Sequence, residues 1–402
     1  MTEDQKKSKP KNRWSIFSSV LIIALILVAI IALPALKRKW ETPLGPSLNL
    51  PTYTATTPKE ISNSLQSPAT SLPTEQISQT TNAPSIAEAT TEATTKPSAT
   101  TAPTATSEPL CGGPATMTVL AVGVDTDDDS YTYGLGDAIR IARVDFVTPK
   151  VTVLSIPRDI WVEIPDISDH YGITHGKLNQ SYFYGSPGMA YYDGPGGGPG
   201  LMARTLDLNF GLRVDHYGAV NMITFSRIVD AVGGIDIYLP YDVDGTPTNS
   251  RTDDMGYFTA GNHHFNGDEA MRFSRIRKRY NDFTRMDHQN MVICALKEKL
   301  LNPSVLTKIP QIIGAFEDAV ITDLSLEQMG QLACLLPYLD SQNLIFSSLP
   351  EEIFTSSRVF SPQMRDETFI MEADNQVIRQ YIEQFNNGTW PTDSGTGGST
   401  CP

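Results

Sequence analysis

The residues beyond position 111 predict a mixed α/β domain. Three apolar, β-branched runs come first, MTVLAVGVD (117–125), DAIRIARVD (137–145) and KVTVLSIP (150–157), and helix-like and strand-like segments then alternate. The first run lacks polar alternation, which predicts a central strand covered on both faces. GLMARTLDLNFG (200–211) predicts a helix closed by a glycine cap, HYGAVNM (216–222) a strand, FSRIVDAVGG (225–234) a helix stopped by Gly233 and Gly234, and IDIYLP (235–240) a returning strand. DHQNMVICALKEKLL (287–301) has apolar residues on several sides and predicts a well-buried helix. Further helices are expected near 311–319, 325–337 and 375–386. LNQSY (178–182) and YYDGPGGGPG (191–200) read as loops. No apolar strand leads into the glycines, so they match no phosphate-binding fingerprint.

The N-terminal quarter has a different character. Residues 16–36, IFSSVLIIALILVAIIALPAL, carry no charge, and at about 1.5 Å of rise per residue a helix of that length crosses a hydrocarbon core of roughly 30 Å. Lys6, Lys7, Lys9, Lys11 and Arg13 precede the run and Lys37, Arg38 and Lys39 follow it, which favours a cytoplasmic N-terminus and a retained anchor. The Thr, Ser, Pro and Ala that dominate the next seventy positions cannot bury enough apolar surface to offset the entropy of ordering, so a disordered stalk is expected. All four cysteines, Cys111, Cys294, Cys334 and Cys401, then lie on the outer side, where disulfides form. A clasp from Cys111 to Cys401 would join the ends of the folded region, and Cys294 and Cys334 sit in apolar helical sequence that suits buried free thiols.

With 45 acidic and 31 basic residues the chain has a formal charge of −14, which argues against a nucleic-acid binder. Against that background RFSRIRKRYNDFTR (272–285) concentrates five arginines and a lysine opposite a single Asp282. A helix would align Arg272, Arg275 and Arg279; an extended chain would align Arg275, Arg277 and Arg279. Either way at least three guanidiniums converge, which is unfavourable without an anion. SIPRD (155–159) places Arg158 and Asp159 at the C-terminal end of a strand, where open α/β sheets present ligands. Asp125 closes the first strand and Asp137 opens the second, so a short turn brings two carboxylates to one sheet edge, a pair suited to Mg²⁺. Asp127, Asp128 and Asp129 between them read as a solvated turn. No histidine has a partner at zinc-site spacing, and Ser155 lacks a nucleophile-elbow context.

GVD at 123–125, Asp137, SIPRD, KLN at 177–179, DAVGGIDI at 230–237, and NGDEAMRFSRIR through NDFTR together resemble the LytR-CpsA-Psr family of membrane-anchored cell-wall enzymes. The resemblance implies a three-layer α/β/α domain with a central mixed sheet, outside the cell membrane on a single-pass anchor. The activity it implies is transfer of a glycopolymer from a polyprenyl-pyrophosphate carrier to peptidoglycan, leaving a phosphodiester. By position, Asp125 and Asp137 would hold Mg²⁺; Arg158, Arg275, Arg277 and Arg285 would neutralise the pyrophosphate with Gln289 as a further contact; Asp159 and Asp282 would orient the arginines. The implied organisation is a cytoplasmic tail (1–15), a membrane helix (16–36), a linker (37–110), the catalytic domain (111–302), a helical extension packed on it (303–390) and a Gly/Ser tail (391–402).

Two departures stand out. Leu135-Gly136-Asp137 replaces the family's Arg-Ser-Asp, and His288 stands where an arginine precedes the glutamine. Arg140 is not expected to compensate for Leu135, because regular alternation puts it on the strand face opposite Asp137. Arg272 and Arg279 remain as candidates to supply charge. The losses motivate a rival reading as a non-catalytic binder of the same lipid, and hydrolysis of that lipid by water is another. A transcriptional regulator is opposed by the short cytoplasmic portion, which contains no helix-turn-helix.

Overall fold

The structure, a computed structural model, describes residues 37–50 and 108–401 apart from 127, 129, 251, 278, 279, 307–311, 313–318, 341, 362–365 and 392–397. The expected anchor at 16–36, most of the stalk and nearly all of the expected helix at 311–319 lie outside those residues. Among the described residues no helix is long and apolar enough to cross a membrane.

The strands are β1 (Thr116–Asp125), β2 (Leu135–Asp145), β3 (Lys150–Ile156), β4 (Trp161–Glu163), β5 (His175–Lys177), β6 (His216–Asn221), β7 (Ile235–Leu239), β8 (Val243–Asp244), β9 (Tyr257–Phe258), β10 (Gly261–Phe265), β11 (Ile321–Thr322), β12 (Leu344–Ser348), β13 (Thr355–Ser361), β14 (Asp366–Glu372) and β15 (Gly398–Thr400). The principal helices are α1 (Leu178–Tyr184), α2 (Gly197–Phe210), α3 (Met222–Ala231), α4 (Gly267–Arg275), α5 (Asp282–Leu301), α6 (Leu326–Leu335) and α7 (Asn375–Asn386). The central sheet is mixed, in the order β11-β6-β1-β2-β3-β12-β15, with β1–β6 and β3–β12 parallel and the other pairs antiparallel.

Alternation along the central strands feeds two layers. Leu120, Val122, Ile139, Ile141, Leu154 and Ile156 join one core with Leu201, Met202 and Leu206 of α2 and Ile378, Ile382 and Phe385 of α7. The last three are at most 1% exposed, and burying such side chains contributes about 1.5–3 kcal/mol each. On the opposite face α3, α4 and α5 build a second core around Val229, Phe273 and Val292. Helices therefore cover both faces, as expected for three layers.

Several expectations need correction. Residues 178–184 are helix α1, not loop: Leu178, Ser181 and Tyr182 pack inward, and the Gln180 side chain accepts the Lys177 amide at 2.8 Å. The segment 303–390 is not simply helical, since it contributes β11 and β12 to the central sheet and the β13–β14 hairpin beside it. Residues 37–50 are not stalk: Leu44 donates to the Leu324 carbonyl at 3.3 Å, the Tyr217 hydroxyl donates to the Pro46 carbonyl at 3.0 Å, and Leu48 and Leu50 pack on the main core. Within the expected tail, Gly398–Thr400 pairs with β12 as an edge strand.

The cysteines also pair differently from the expected clasp. Disulfides join Cys111 to Cys334 and Cys294 to Cys401. Packing explains the exchange: α6 carries Cys334 to the turn at Leu110–Gly112, while β15 delivers Cys401 into the small core that also holds Cys294. Because the second bridge spans 107 residues, its loss should cost about 2–5 kcal/mol. Cys401→Ser is expected to lower the denaturant midpoint under oxidising conditions, with most of the difference from the parent protein vanishing in reductant.

Candidate anion site at the edge of the central sheet

A one-residue irregularity creates the site. Gly123 faces Ala138 across the β1–β2 pair, but the next residue, Val124, faces Gly136, so Asp137 is an inserted bulge residue. Beyond it, β2 alternates regularly, with Ile139 and Ile141 in one core and Arg140 on the opposite face. The bulge turns Asp137 out of that alternation, and Asp137, Ala138 and Arg140 line the same cavity. The expectation that Arg140 lies away from Asp137 is therefore wrong, because it assumed an uninterrupted strand. Gly136 accommodates the distortion: a Cβ there would come within 2.6 Å of the Met202 side chain and 3.1 Å of Tyr182.

Asp137 organises the residues around it. Its Oδ2 accepts a short hydrogen bond from Arg158, its Oδ1 accepts one from Asn179 at 2.8 Å, and its carbonyl accepts one from Arg285 at 3.0 Å. Asp159 lies 3.5 Å from Arg158 Nε and receives Lys177 Nζ at 2.8 Å. Asp282, the first residue of α5, lies 2.9 Å from Arg285 and 3.8 Å from Arg158. Asn281 caps that helix by accepting the Thr284 amide at 2.9 Å, and the helix terminus favours a carboxylate there. Burial pushes the Asp282 carboxyl up, and the Arg285 charge opposes that shift. Asp159 and Asp282 thus both lie within ion-pair distance of arginines at the site.

The arginine-rich stretch divides by backbone conformation. Helix α4 ends at Arg275, Ile276 turns extended and buries its side chain, and Arg275 and Arg277 both reach the cavity. Arg275 lies 3.4 Å from Asp125. The guanidinium of Arg277 makes no hydrogen bond or ion pair among the described residues, and burial first, then the charge of Arg285, holds it below the usual arginine range. Arg272 instead pairs with Asp268 at 2.9 Å, away from the cavity, and Arg279 lies outside the described residues. Of the two arginines proposed to supply charge, Arg272 therefore does not reach the site.

Arg140 does reach it. Only 6% exposed, it donates to Ser155 Oγ, to Asn290 Oδ1 at 2.6 Å, to the Met286 carbonyl at 3.0 Å and to Gln289 Oε1 at 2.9 Å. No carboxylate lies within ion-pair distance among the described residues, and burial lowers its pKa to about 10, with Arg285 adding to the effect. Gln289, held also through its amide on the Ser274 carbonyl at 3.2 Å, presents a fixed side chain to the cavity. His288 turns the other way, fully buried against Phe273 and Tyr280, so a neutral residue at 288 removes no charge from the cavity wall.

The cavity holds about 740 Å³ and joins this polar edge to an apolar interior. Its floor is made of small residues on β1 and β6, Ala121, Gly123 and Gly218, and a Cβ added at Gly218 would meet nothing within 4 Å. Phe225, Ile228, Met271, Val292 and Leu296 form its walls. The first strand is central and covered on both faces, as expected, with small side chains leaving the cavity beneath the helices on one of them.

The cavity wall carries Arg140, Arg158, Arg275, Arg277 and Arg285 against Asp125, Asp137, Asp244 and Asp253, so guanidiniums outnumber carboxylates there by one, and Lys177, Asp159 and Asp282 stand behind them. The Nε atoms of Arg158 and Arg285 are buried without hydrogen-bond partners, with Arg158 Nε facing Asp159 at 3.5 Å and Asp282 at 3.8 Å. Asp125 and Asp137 bring two carboxylates to the cavity, and Asn179 Oδ1 is a buried oxygen without a partner. In kind these donors match what Mg²⁺ takes from a protein when phosphate and water complete its shell. Among the described residues no group of three or more His, Cys, Asp or Glu is arranged as a metal cage. The site thus gathers Arg158, Asp159, Arg275, Arg277, Asp282, Arg285, Gln289, Asp125 and Asp137. It adds Arg140, which no alternation pattern reveals, and Lys177 and Asn179, whose sequence signal is the KLN tripeptide.

His288 also makes stability depend on pH. Burial lowers its pKa to about 4 from an ordinary 6.5. The unfolded chain therefore binds the proton first, and this contribution is complete above about pH 6.5 and lost as pH falls through about 4. The difference in unfolding free energy between the parent protein and His288→Leu should move by about 3 kcal/mol between pH 7 and pH 4, against the parent. Asp282 and Asp287, whose carboxyls burial raises, contribute the opposite slope in both proteins and cancel in the comparison.

Comparison with known proteins agrees with the architecture. The chain is 28% identical over 221 residues to a protein of Enterococcus faecalis named polyisoprenyl-teichoic acid–peptidoglycan teichoic acid transferase TagU, covering 54% of this chain and 64% of that one. It is 27% identical over 213 residues to regulatory protein MsrR of Staphylococcus aureus, covering 52% and 56%. The chain therefore spans less than two thirds of either relative's length. The fold is shared with the crystal structure of protein gbs0355 from Streptococcus agalactiae, at a TM-score of 0.54 and 19% identity over 71% of this chain and 92% of that one. A model of the LytR_cpsA_psr family matches residues 78–382, well over half of the sequence, and the chain belongs to that family.

Proposed function

We propose that this protein is a phosphotransferase that moves a glycopolymer from a polyprenyl-pyrophosphate carrier to peptidoglycan. The observation that carries the reading is Arg277, a half-buried cation without a partner, at the junction between a guanidinium cluster and an apolar cavity. An amphiphile with a phosphorylated head and a hydrocarbon tail satisfies both halves; a soluble phosphate would leave the apolar walls uncovered. The relative from Enterococcus faecalis carries a name of the same sense.

In this reading the polyprenyl chain occupies the cavity, and Arg158, Arg275, Arg277 and Arg285 hold the pyrophosphate, with Gln289 as a neutral contact. Phosphoryl transfer depends chiefly on placement and on charge stabilisation, which fixed guanidiniums supply without reorganising. Asp159 and Asp282 keep them fixed. The acceptor hydroxyl oxygen bonds to the glycan-bearing phosphorus as the bond to the bridging oxygen breaks; polyprenyl phosphate leaves with that electron pair, and the hydroxyl proton passes to it or to water. Asp125 and Asp137 would hold Mg²⁺, which would supply neutralisation of the charge on the phosphates. The disulfides fit an oxidising compartment, in keeping with a single-pass protein whose N-terminus is cytoplasmic.

The test is the full chain in detergent with a polyprenyl-pyrophosphate glycan, Mg²⁺ and peptidoglycan. Arg277→Gln, which breaks no internal contact, should lower transfer about 10²–10³-fold with an unchanged unfolding midpoint. Tight lipid binding without turnover by the parent protein would establish the non-catalytic binder instead, and release of polyprenyl phosphate with water as acceptor would establish a hydrolase. Arg140→Gln should weaken lipid binding about tenfold and flatten its salt dependence, with Arg140→Lys intermediate; equal affinity in both variants would remove Arg140 from the site.

A further inference from the structure

On the sheet face opposite the cavity, three near-parallel rings rise from the core to the surface. Tyr184 is buried at the end of α1, Tyr191 lies 5.9 Å above it at 9°, and His170 lies 4.4 Å from Tyr191 at 5°. Tyr171, 89% exposed, flanks the stack 6.2 Å from Tyr191. Tyr133, 53% exposed, extends the surface through Phe183, 6.4 Å away. Burial does not account for the exposed rings. Nor does relaxed backbone: Tyr131, Asp166, Tyr171 and Ala190, in the three loops that carry these rings, all have positive φ. Left-handed backbone costs a non-glycine residue about 1 kcal/mol or more, and such residues gather where a surface is shaped for a task.

The surface is continuous with the anion site. Tyr171 sits in the loop between β4 and β5, and at the base of that hairpin Trp161 stacks on His175 at 6.3 Å and 20°. Lys177, paired with Trp161 across the hairpin, contacts Asp159. At about 3.3 Å per residue along a strand, Tyr171 lies within a few sugar lengths of the arginine cluster.

We infer that Tyr133, His170 and Tyr171, supported by Tyr191, form a carbohydrate-binding surface that receives the acceptor glycan strand of peptidoglycan. The inference rests on the phosphotransfer reading above. Pyranose rings present flat C–H faces edged by hydroxyls, and exposed aromatic faces beside polar groups match both. Charge narrows the ligand: Asp169 lies 3.7 Å from His170, and Asp166 in the same loop pairs with Arg204 at 2.5 Å, so the carboxylate beside the rings disfavours an anionic membrane surface and an anionic donor polymer. Reaction geometry points the same way. The attacking and leaving oxygens of phosphoryl transfer lie roughly in line, so with polyprenyl phosphate departing into the cavity on one sheet face, the acceptor enters from the other.

Sedimentation of the full chain with purified, insoluble peptidoglycan tests this without requiring catalysis. Tyr133→Ala/Tyr171→Ala should bind at least fivefold more weakly, whereas Tyr171→Phe, which keeps the ring, should bind normally. In the transfer assay the double variant should raise the KM for peptidoglycan by a similar factor and leave the KM for the lipid donor unchanged. Unchanged sedimentation together with an unchanged acceptor KM would overturn the inference, as would loss of binding to anionic phospholipid vesicles in place of peptidoglycan. If the parent protein transfers nothing yet the double variant still loses peptidoglycan, the surface stands and the phosphotransfer reading falls.

Discussion

The bulge at Asp137 and the buried pairing of that residue with Arg158 constrain the rest of the site. An aspartate in regular register would join Ile139 and Ile141 in the core; displaced by one residue, it reaches Arg158, Asn179 and, through its carbonyl, Arg285. Those three partners come from the end of β3, the start of α1 and the first turns of α5. One carboxylate therefore ties together segments remote in sequence. Removing one side of such a buried pair leaves an uncompensated charge, which is far costlier than the net worth of the pair.

The electrostatics favour a ligand over self-sufficiency. A site evolved only for stability would match each buried cation with a carboxylate, because desolvated charge is expensive. Here Arg140 is satisfied by neutral acceptors and Arg277 is left without a partner. Burial first, and repulsion from Arg285 second, depress the affinity for protons at both guanidiniums. The stability of the surrounding three-layer core sustains this arrangement, and an anion would relieve it.

The two faces of the sheet have separate roles. Large apolar side chains on one face pack against α2 and α7 and support the aromatic stack, while small ones on the other open the cavity beside α3, α4 and α5. The polar edge that holds Asp137 and Arg158 borders the cavity on one of these faces.

The strands 116–125, 135–145 and 150–156 and the helices near 200, 225, 290, 330 and 380 were legible in the chain, because periodicity and glycine caps are local signals, whereas the grouping of Arg158, Arg275, Arg277 and Arg285 with Asp125 and Asp137 was implied by the family resemblance. The role of Arg140 was not, since a bulge depends on how β1 pairs with β2 and leaves no alternation of its own. The outward-facing Ala121 and Gly123, the inward turn of His288 and the exchange of cysteine partners were likewise hidden. Sequence by itself determined the first strands, the longer helices and which charges are abundant; only tertiary packing decided the helix at 178–184, the strands beyond 303 and which faces meet, because those depend on contacts between residues remote in the chain.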